Sequence, residues 1–439
     1  MKEHESYKDS DIPWLKSLPS HWATKRAKYL FSLLDRPVEA HYEVITCFRD
    51  GVVTLRKNRR QTGFTESLTE TGYQGINAGD LVIHQMDAFA GSVGVSDSDG
   101  KSTPVYSVCS PKEELSTYYY AYIIREMART NYILSLAKGI RQRSTDFRFP
   151  TFARCLLPVP PVEEQNAIVA YLDKKCAEID KLVSRRQSII ERLKELKQSI
   201  IADAVTKGLN QDVPMKDSGS EWIGDTPEKW QIVRFSRLVK CKIAGAWGDE
   251  AKDAEGDILC IRIADFDFDH FIFDDSGDLT RRNYNNEKIT KLSLKQGDIL
   301  VEKSGGGAKT PVGRAIIFDK EYPALYSNFI EKLILSDGVV AKWFLFVWNA
   351  FYFTGRIRHF IKQTTGIQNL DINTMLRSTV VPMPPYHEQN AIVAYLDKKC
   401  AEIDELVARQ EQIIEKLKEL KTSTIAHVVT GKVDVRDVI

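Results

Sequence analysis

The residues best suited to chemistry in this 439-residue chain are glycine-rich turns, carboxylates beside strands, and clustered arginines and lysines. Lys303-Ser304-Gly305-Gly306-Gly307-Ala308-Lys309-Thr310 has the glycine and lysine content of a loop that cradles phosphate. A nucleoside triphosphate loop needs G-x-x-x-x-G-K-[ST], because its glycines let backbone N–H groups close on the phosphates. Lys303 and Ala308 stand where those glycines belong, and the matching stretch Ala88 to Gly94 has no lysine. The stretch reads as a loop between strands, with contact to a DNA phosphate as its functional alternative, and does not support an ATP site. Asp298-Ile-Leu-Val-Glu302-Lys303 has the carboxylates of a metal-dependent nuclease strand. Its counterpart Asp80-Leu-Val-Ile-His84-Gln85 lacks the second carboxylate. Gly-Asp before a strand is also a common turn. Eight histidines are scattered without H-E-x-x-H or other ligand spacing, so no metal ligands and no catalytic residues are assigned. There is no G-x-S-x-G elbow. Nor is there a glycine fingerprint that would seat a dinucleotide or a methyl donor.

The basic clusters carry more. Arg56, Lys57, Arg59 and Arg60 form one around Asn58. Arg141 and Arg143 form another, followed by Arg148 between Phe147 and Phe149. Further along the chain come Arg281 and Arg282, then Lys303, Lys309 and Arg314, then Arg356 and Arg358. Arginine and lysine suit phosphates and guanine edges, and Asn and Gln suit adenine edges. A single such run is ordinarily a solvated surface. Several on each half, beside Gly and Asn/Gln, point to DNA.

The elements that must position these residues are written twice. Glu164 to Asp180 recurs without a change as Glu388 to Asp404. Leu193-Lys-Glu-Leu-Lys197 returns as Leu417 to Lys421, and Leu156-Leu-Pro-Val-Pro-Pro161 answers Val380-Val-Pro-Met-Pro-Pro385. A second block opens each copy: Lys8, Trp14, Pro19, Trp22 and Arg26 align with Lys216, Trp222, Pro227, Trp230 and Arg234. Between these frames the copies share only sparse echoes. Like frames around unlike inserts suggest one scaffold carrying two specificities, rather than a duplication whose middles drifted.

The shared segment is an amphipathic helix. Pro160-Pro161 followed by Glu163-Glu164 is a helix start, and Lys207-Gly208 is a stop. About 44 residues of helix span about 65 Å. Leu172, Ile179, Leu193 and Ile200 fall on one heptad position, and Leu182, Ile189 and Leu196 on the other. In the second copy Leu396, Ile403 and Leu417 pair with Leu406, Ile413 and Leu420. Arg186 and Gln410 break the stripe at one equivalent place. Such a stripe needs a cover, and the other copy supplies it, antiparallel because the linker Asn210 to Ser220 is short. The repeat is therefore cyclic in character. The helix carries as many acidic as basic residues, which suits protein contacts better than DNA. The inserts, about 11–155 and 219–380, read as α+β. Their strands are expected near 51–55, 80–84 and 298–302, and their helices over 118–136 and 341–361.

Composition bounds the alternatives. Lys+Arg 61 against Asp+Glu 60 excludes a polycation, so any DNA binding is local. The longest apolar run, Val339 to Trp348, contains Lys342 and is too short for a membrane span. Seven cysteines without close pairing, and a start without a secretory h-region, fit a cytoplasmic protein.

Two variable inserts, each ending in a helix start such as Pro158-Val-Pro-Pro-Val-Glu-Glu-Gln165 or Pro382-Met-Pro-Pro-Tyr-His-Glu-Gln389, resemble the specificity subunit of type I restriction-modification enzymes. The tryptophan pairs and Gly366-Ile367-Gln368-Asn369-Leu370 are similar to that family too. The first copy departs there, with Gly139-Ile140-Arg141-Gln142-Arg143. The resemblance implies an α+β chain of two target recognition domains separated by two long antiparallel coiled-coil helices. Recognition domain 1 would span 1–157, the first helix 158–208, the linker and recognition domain 2 209–381, and the second helix with its tail 382–439. It implies a non-catalytic reader of a bipartite, asymmetric double-stranded DNA site that works with two adenine-methyltransferase subunits and motor-nuclease subunits. S-adenosylmethionine, ATP and Mg²⁺ would belong to those partners, and this chain would hold no cofactor. The competing readings are a stand-alone nuclease or methyltransferase, and a coiled-coil adaptor that does not bind DNA.

Overall fold

The computed structural model describes residues 3–59, 70–136, 146–210, 212–253, 256–307, 309–363 and 366–436. Two compact units divide the chain, residues 1–186 with 412–439 and residues 187–411. Both are α+β. Four helices organise them: α1 Thr117–Arg129, α2 Val162–Lys207, α3 Ala341–Phe353 and α4 Tyr386–Val429.

In the first unit, Tyr7–Asp9 pairs antiparallel with Ser17–Pro19, and Ala23–Arg26 with Leu156–Val159. The second unit repeats both ribbons, as Met215–Asp217 with Asp225–Pro227 and Gln231–Arg234 with Val380–Met383. Each pair of ribbons leads the chain past a buried tryptophan to a long helix. Trp22 Nε1 donates to Glu164 Oε1 at 2.9 Å, and Trp230 Nε1 to Glu388 Oε2 at 2.8 Å. The adjoining glutamine stitches the helix start to the insert. Gln165 Oε1 accepts from Ser116 N at 2.9 Å, and Gln389 Oε1 from Val340 N at 2.9 Å, just before α1 and α3 respectively. The Glu-Gln pair in each helix start thus holds an indole and a neighbouring helix entry. That explains why both residues recur unchanged.

Each long helix ends on a glycine that sits against a tryptophan. Gly208 has φ 76°, and a Cβ there would lie 3.0 Å from Trp230 Cζ2. Gly431 has φ 72°, and a Cβ there would lie 2.6 Å from Pro19 Cδ and 2.9 Å from Trp22 Cη2. The end of α4 is also tied to the chain start, where Tyr7 Oη donates to Lys432 O at 3.3 Å.

The inserts differ. The first carries a four-stranded antiparallel sheet in the order Phe31–Leu33, Tyr106–Pro111, Leu81–His84, Val93–Val95, with α1 in the same core. The second carries a six-stranded sheet in the order Val239–Ala244, Ile330–Leu335, Ile299–Glu302, Ala315–Ile317, Ile272–Phe273, Phe266–Asp267. Its α3 is buried over Trp343 to Phe351, so the apolar run is a core helix. Among the described residues no helix is long and apolar enough to cross a membrane. The helix expected over 118–136 stops at Arg129 and resumes as Tyr132–Ser135, because Asn131 takes a left-handed φ of 59°. The one expected over 341–361 stops at Phe353 and turns at Gly355.

Within each unit the α2 and α4 segments run antiparallel. In the first, Ile168 and Leu172 share a core with Val428 and Val429, and Asp180 pairs with Lys421. In the second, Ile201 and Val205 share a core with Ile392 and Leu396, and Lys197 pairs with Asp404. One heptad line follows expectation: Leu172, Ile179, Leu396 and Ile403 are buried, and Leu193, Ile200 and Leu417 half-buried. The other lies one residue further on. Leu182, Leu196, Leu406 and Leu420 are 43 %, 49 %, 43 % and 52 % exposed, and Ile189 and Ile413 are only half-buried. The covered line instead passes through Cys176, Val183, Ile190 and Lys197, and through Cys400, Val407, Ile414 and Lys421. Ile190 and Ile414 are buried on this line, and its lysines reach carboxylates across the pair, which apolar counting does not register.

Candidate nucleic-acid interface

In the second unit, Ser304–Gly305 pairs with Gln368–Leu370, which pairs in turn with Ile361–Gln363. This small sheet clamps the glycine-rich loop to the Gly366–Leu370 turn. The buried Gln368 does the clamping: Oε1 accepts from Val312 N at 3.1 Å, and Nε2 donates to Gly307 O at 3.4 Å. Gly306 makes this closeness feasible. Its φ is 62°, and a Cβ there would meet Val312 N at 2.5 Å. Ser304 Oγ donates to Asn369 Oδ1 at 2.6 Å, and Leu370 N to Lys303 O at 2.9 Å. Among the described residues nothing pairs with the Lys303 or Lys309 side chain. Ile367 at the turn is 48 % exposed. The result is a hydrogen-bonded edge beside Lys303, with a charge that suits a phosphate backbone.

Arg314 belongs to the base of this loop and not to its face. Its Nε donates to Glu302 Oε2 at 3.0 Å, its guanidinium lies 3.5 Å from the Phe268 ring centroid, and Glu302 is fully buried. Asp298 accepts from Lys295 N at 2.9 Å and from Lys332 Nζ at 3.0 Å. Both carboxylates of the nuclease-like strand are therefore committed to internal cations and a turn. Arg356 pairs with Glu221 at 2.6 Å, and Arg358 is exposed on the same short turn. Arg281 and Arg282 lie on a different sheet. Arg281 Nη1 donates to Asp257 O at 3.3 Å, and Arg282 stacks 4.3 Å from the exposed Trp247 ring.

In the first unit, the backbone clamp recurs as Phe147 N donating to Gln85 O at 3.1 Å, with Gln85 where the second unit has Lys303. Arg56 Nε donates to Thr46 Oγ1 at 3.4 Å, and Lys57 pairs with Glu43. Arg59 grips Asp50 at 2.9 and 2.7 Å over the Phe48 ring, which holds the Asp50 carboxyl below the usual range. Arg148 pairs with Asp146 at 2.5 Å. Such exposed pairs contribute little to stability, so a phosphate can replace the carboxylate at small cost. Arg60, Arg141 and Arg143 lie outside the described residues.

One group of metal-ligating side chains comes together among the described residues: His4, His21 and Glu164. The histidine positions in the sequence gave no sign of it, because the three are joined only by the fold. Gln368, Gln165, Gln389 and the two Trp–Glu pairs were likewise not expected as positioning residues. Their one sequence signal was recurrence in both frames or within Gly366–Leu370.

Residues 227–419 match the family model of the type I restriction modification DNA specificity domain. The MjaVIII type I restriction enzyme specificity subunit of Methanocaldococcus jannaschii is 24% identical over 98% of this chain and 98% of its own. Residues 227–419 thus carry a type I restriction modification DNA specificity domain, and nearly the whole chain is similar to a type I specificity subunit. The StySPI specificity subunit of Salmonella potsdam, another relative, is 22% identical over 94% of this chain and 90% of its own. Two solved structures share the fold. One, described as the structural basis of complex assembly and conformational transition of the type I R-M system, has TM-score 0.68 and 17% identity over 95% of this chain and 99% of that one. The other, the HsdS subunit from Thermoanaerobacter tengcongensis, has TM-score 0.50 and 18% identity, covering 95% and 98%. Set beside this family, the clamped loop of the second unit lies inside the specificity domain, as do Lys303, Lys309 and Gln368.

Proposed function

We propose that the chain is the DNA-reading subunit of a type I restriction-modification enzyme, each insert reading one half of a bipartite, asymmetric target. The observation that carries this is the pairing of near-identical frames with unlike sheets. The Trp–Glu and Gln clamps recur almost atom for atom, while a four-stranded sheet in one insert answers a six-stranded sheet in the other. A scaffold of that kind presents two different surfaces in one fixed manner. The recognition domains correspond to residues 1–157 and 209–381, and the Gln368-clamped loop supplies phosphate contacts in the second.

The paired helices serve the partners. Leu182, Leu196, Leu406 and Leu420 lie on their exposed side, which suits two adenine-methyltransferase subunits, with motor-nuclease subunits joining that core. S-adenosylmethionine, ATP and Mg²⁺ act on those partners, and the whole assembly works in the cytoplasm. This chain selects the site and performs no bond-making step itself.

The test is an exchange of residues 219–380 for the insert of a relative, followed by sequencing of methylated adenines in cells that carry the partner subunits. One half of the methylated motif should change and the other persist. A change in both halves, or in neither, would refute the modular reading.

A further inference from the structure

Four side chains from distant parts of the sequence converge in the first unit. His4 lies at the chain start, His21 precedes Trp22, Glu164 is in the first turn of α2, and Asp434 follows α4. Donor atoms of His4, His21 and Glu164 all lie within 4.8 Å of one another. His21 Nε2 is 2.8 Å from Glu164 Oε2, and His4 Nε2 is 3.8 Å from Glu164 Oε1. The His4 side chain is 2 % exposed, yet neither of its ring nitrogens has a hydrogen-bond partner. Buried polar groups are ordinarily satisfied, so an imidazole of this kind facing a carboxylate and a second imidazole calls for a ligand.

We infer that His4, His21 and Glu164 bind one divalent transition-metal ion of the zinc class, with Asp434 on the far side of the His4 ring. Two imidazoles and one carboxylate suit zinc, whereas calcium and magnesium take oxygen donors. Zinc bonds of about 2.1 Å in a tetrahedron place donors about 3.4 Å apart, and the separations here bracket that value. Asp434 Oδ2 lies 3.8 Å from His4 Nδ1. With Asp434 on the Nδ1 side, Nε2, the nitrogen that faces Glu164, is the one placed to ligate. Arg436 holds Asp434 in turn, at 2.9 and 2.6 Å. At 3.8 Å the two carboxylates are too far to hydrogen-bond the His4 ring, so a proton alone does not satisfy it in this arrangement. His21, with a side chain 38 % exposed, leaves a path for the ion and a fourth position for water.

The second copy lacks the site. Glu388 keeps the place of Glu164, but Lys229 precedes Trp230 as His21 precedes Trp22. A lysine cation does not ligate metal at neutral pH. The ion would join the chain start to α2 and, through Asp434, to the segment beyond α4.

The experiment uses the full-length chain, stripped with chelator and titrated with Zn²⁺ by calorimetry. One equivalent is expected to bind the parent, and affinity should fall at least tenfold in His4→Ala and in His21→Lys, which copies the second unit. Because His21 is near the surface, His21→Lys should fold like the parent by circular dichroism. Zn²⁺ should raise the thermal midpoint of the parent and leave that of His21→Lys unmoved. Co²⁺ should give ligand-field bands without thiolate charge transfer, which separates the site from the seven cysteines. Absence of Zn²⁺ uptake by the parent, equal uptake by His21→Lys, or a thiolate band would each overturn the assignment. DNA binding enters none of these readouts, so the result stands apart from the DNA-reading proposal.

Discussion

Lys197 and Asp404 meet at 2.7 Å, and the same two places of the repeat meet again at 2.7 Å, with the helices exchanged, as Lys421 and Asp180. Their surroundings differ. Lys197 also donates to Asp269 O at 2.6 Å, lies 5.6 Å from the Phe271 ring, and has a side chain 9 % exposed. Lys421 has a side chain 33 % exposed and no such cover among the described residues. Lys197→Met should therefore cost about 2–3 kcal/mol, below the full value for a buried pair because Asp404 keeps some solvent. Lys421→Met should cost less than about 1 kcal/mol. Urea midpoints of the two variants measure the contrast, and equal shifts would mean that the Asp269–Phe271 cover has no energetic effect.

The phase of the helical seam gives a second expectation. Ile190→Asp and Ile414→Asp place a charge where the side chain is 4 % and 6 % exposed, and each should destabilise by at least about 3 kcal/mol. Leu196→Asp and Leu420→Asp should leave the thermal midpoint of the isolated chain within a few degrees. They should nonetheless weaken co-purification with the methyltransferase subunits. Unfolding of the Leu196 variant would place that residue inside the seam after all.

Much of this was legible before the fold was known. The long helices and the doubled frames could be read because a repeated run of identical residues is a statement about shared structure. One line of the seam follows the apolar pattern and the other lies one residue beyond it, because leucines 182 and 196 outweigh a lysine in any apolar count, while Asp404 draws Lys197 inward. The strands of the inserts are short and their pairings distant, as when Ser304–Gly305 meets Gln368–Leu370, so no local pattern foretold the clamp. Arg314 looked like its basic neighbours until Glu302 appeared beneath it.

The clamp should matter for selectivity more than for affinity. Gln368→Ala releases Val312 N and Gly307 O and should cut specific binding at one half-site about tenfold, the equivalent of about 1.4 kcal/mol. Non-specific binding should hold. Lys303→Ala and Lys309→Ala should each lower the slope of log affinity against log salt by about one, with little change in the methylated motif. Gel-shift titrations across salt concentrations in the presence of the methyltransferase subunits read both effects. A motif change in the lysine variants would make them base readers.

The indole–carboxylate bonds should be unequal as well. Glu164 is buried at 4 % exposure and shared by Trp22 and His21, whereas Glu388 serves Trp230 from a half-buried position. Glu164→Gln should cost about 2 kcal/mol and Glu388→Gln about half that, seen as shifts in thermal midpoint.

Gly431 against Trp22 reproduces Gly208 against Trp230, yet Gly208 precedes its tryptophan in the sequence and Gly431 follows its own. The contacts do not depend on which junction is covalent. A circular permutant opened between residues 209 and 213, with the old ends joined by a short bridge near Tyr7 and Lys432, would keep every ribbon, cap and ion pair described for either unit. Gene order in such a protein is free to rotate. A message that began at the second insert would still encode every one of these contacts.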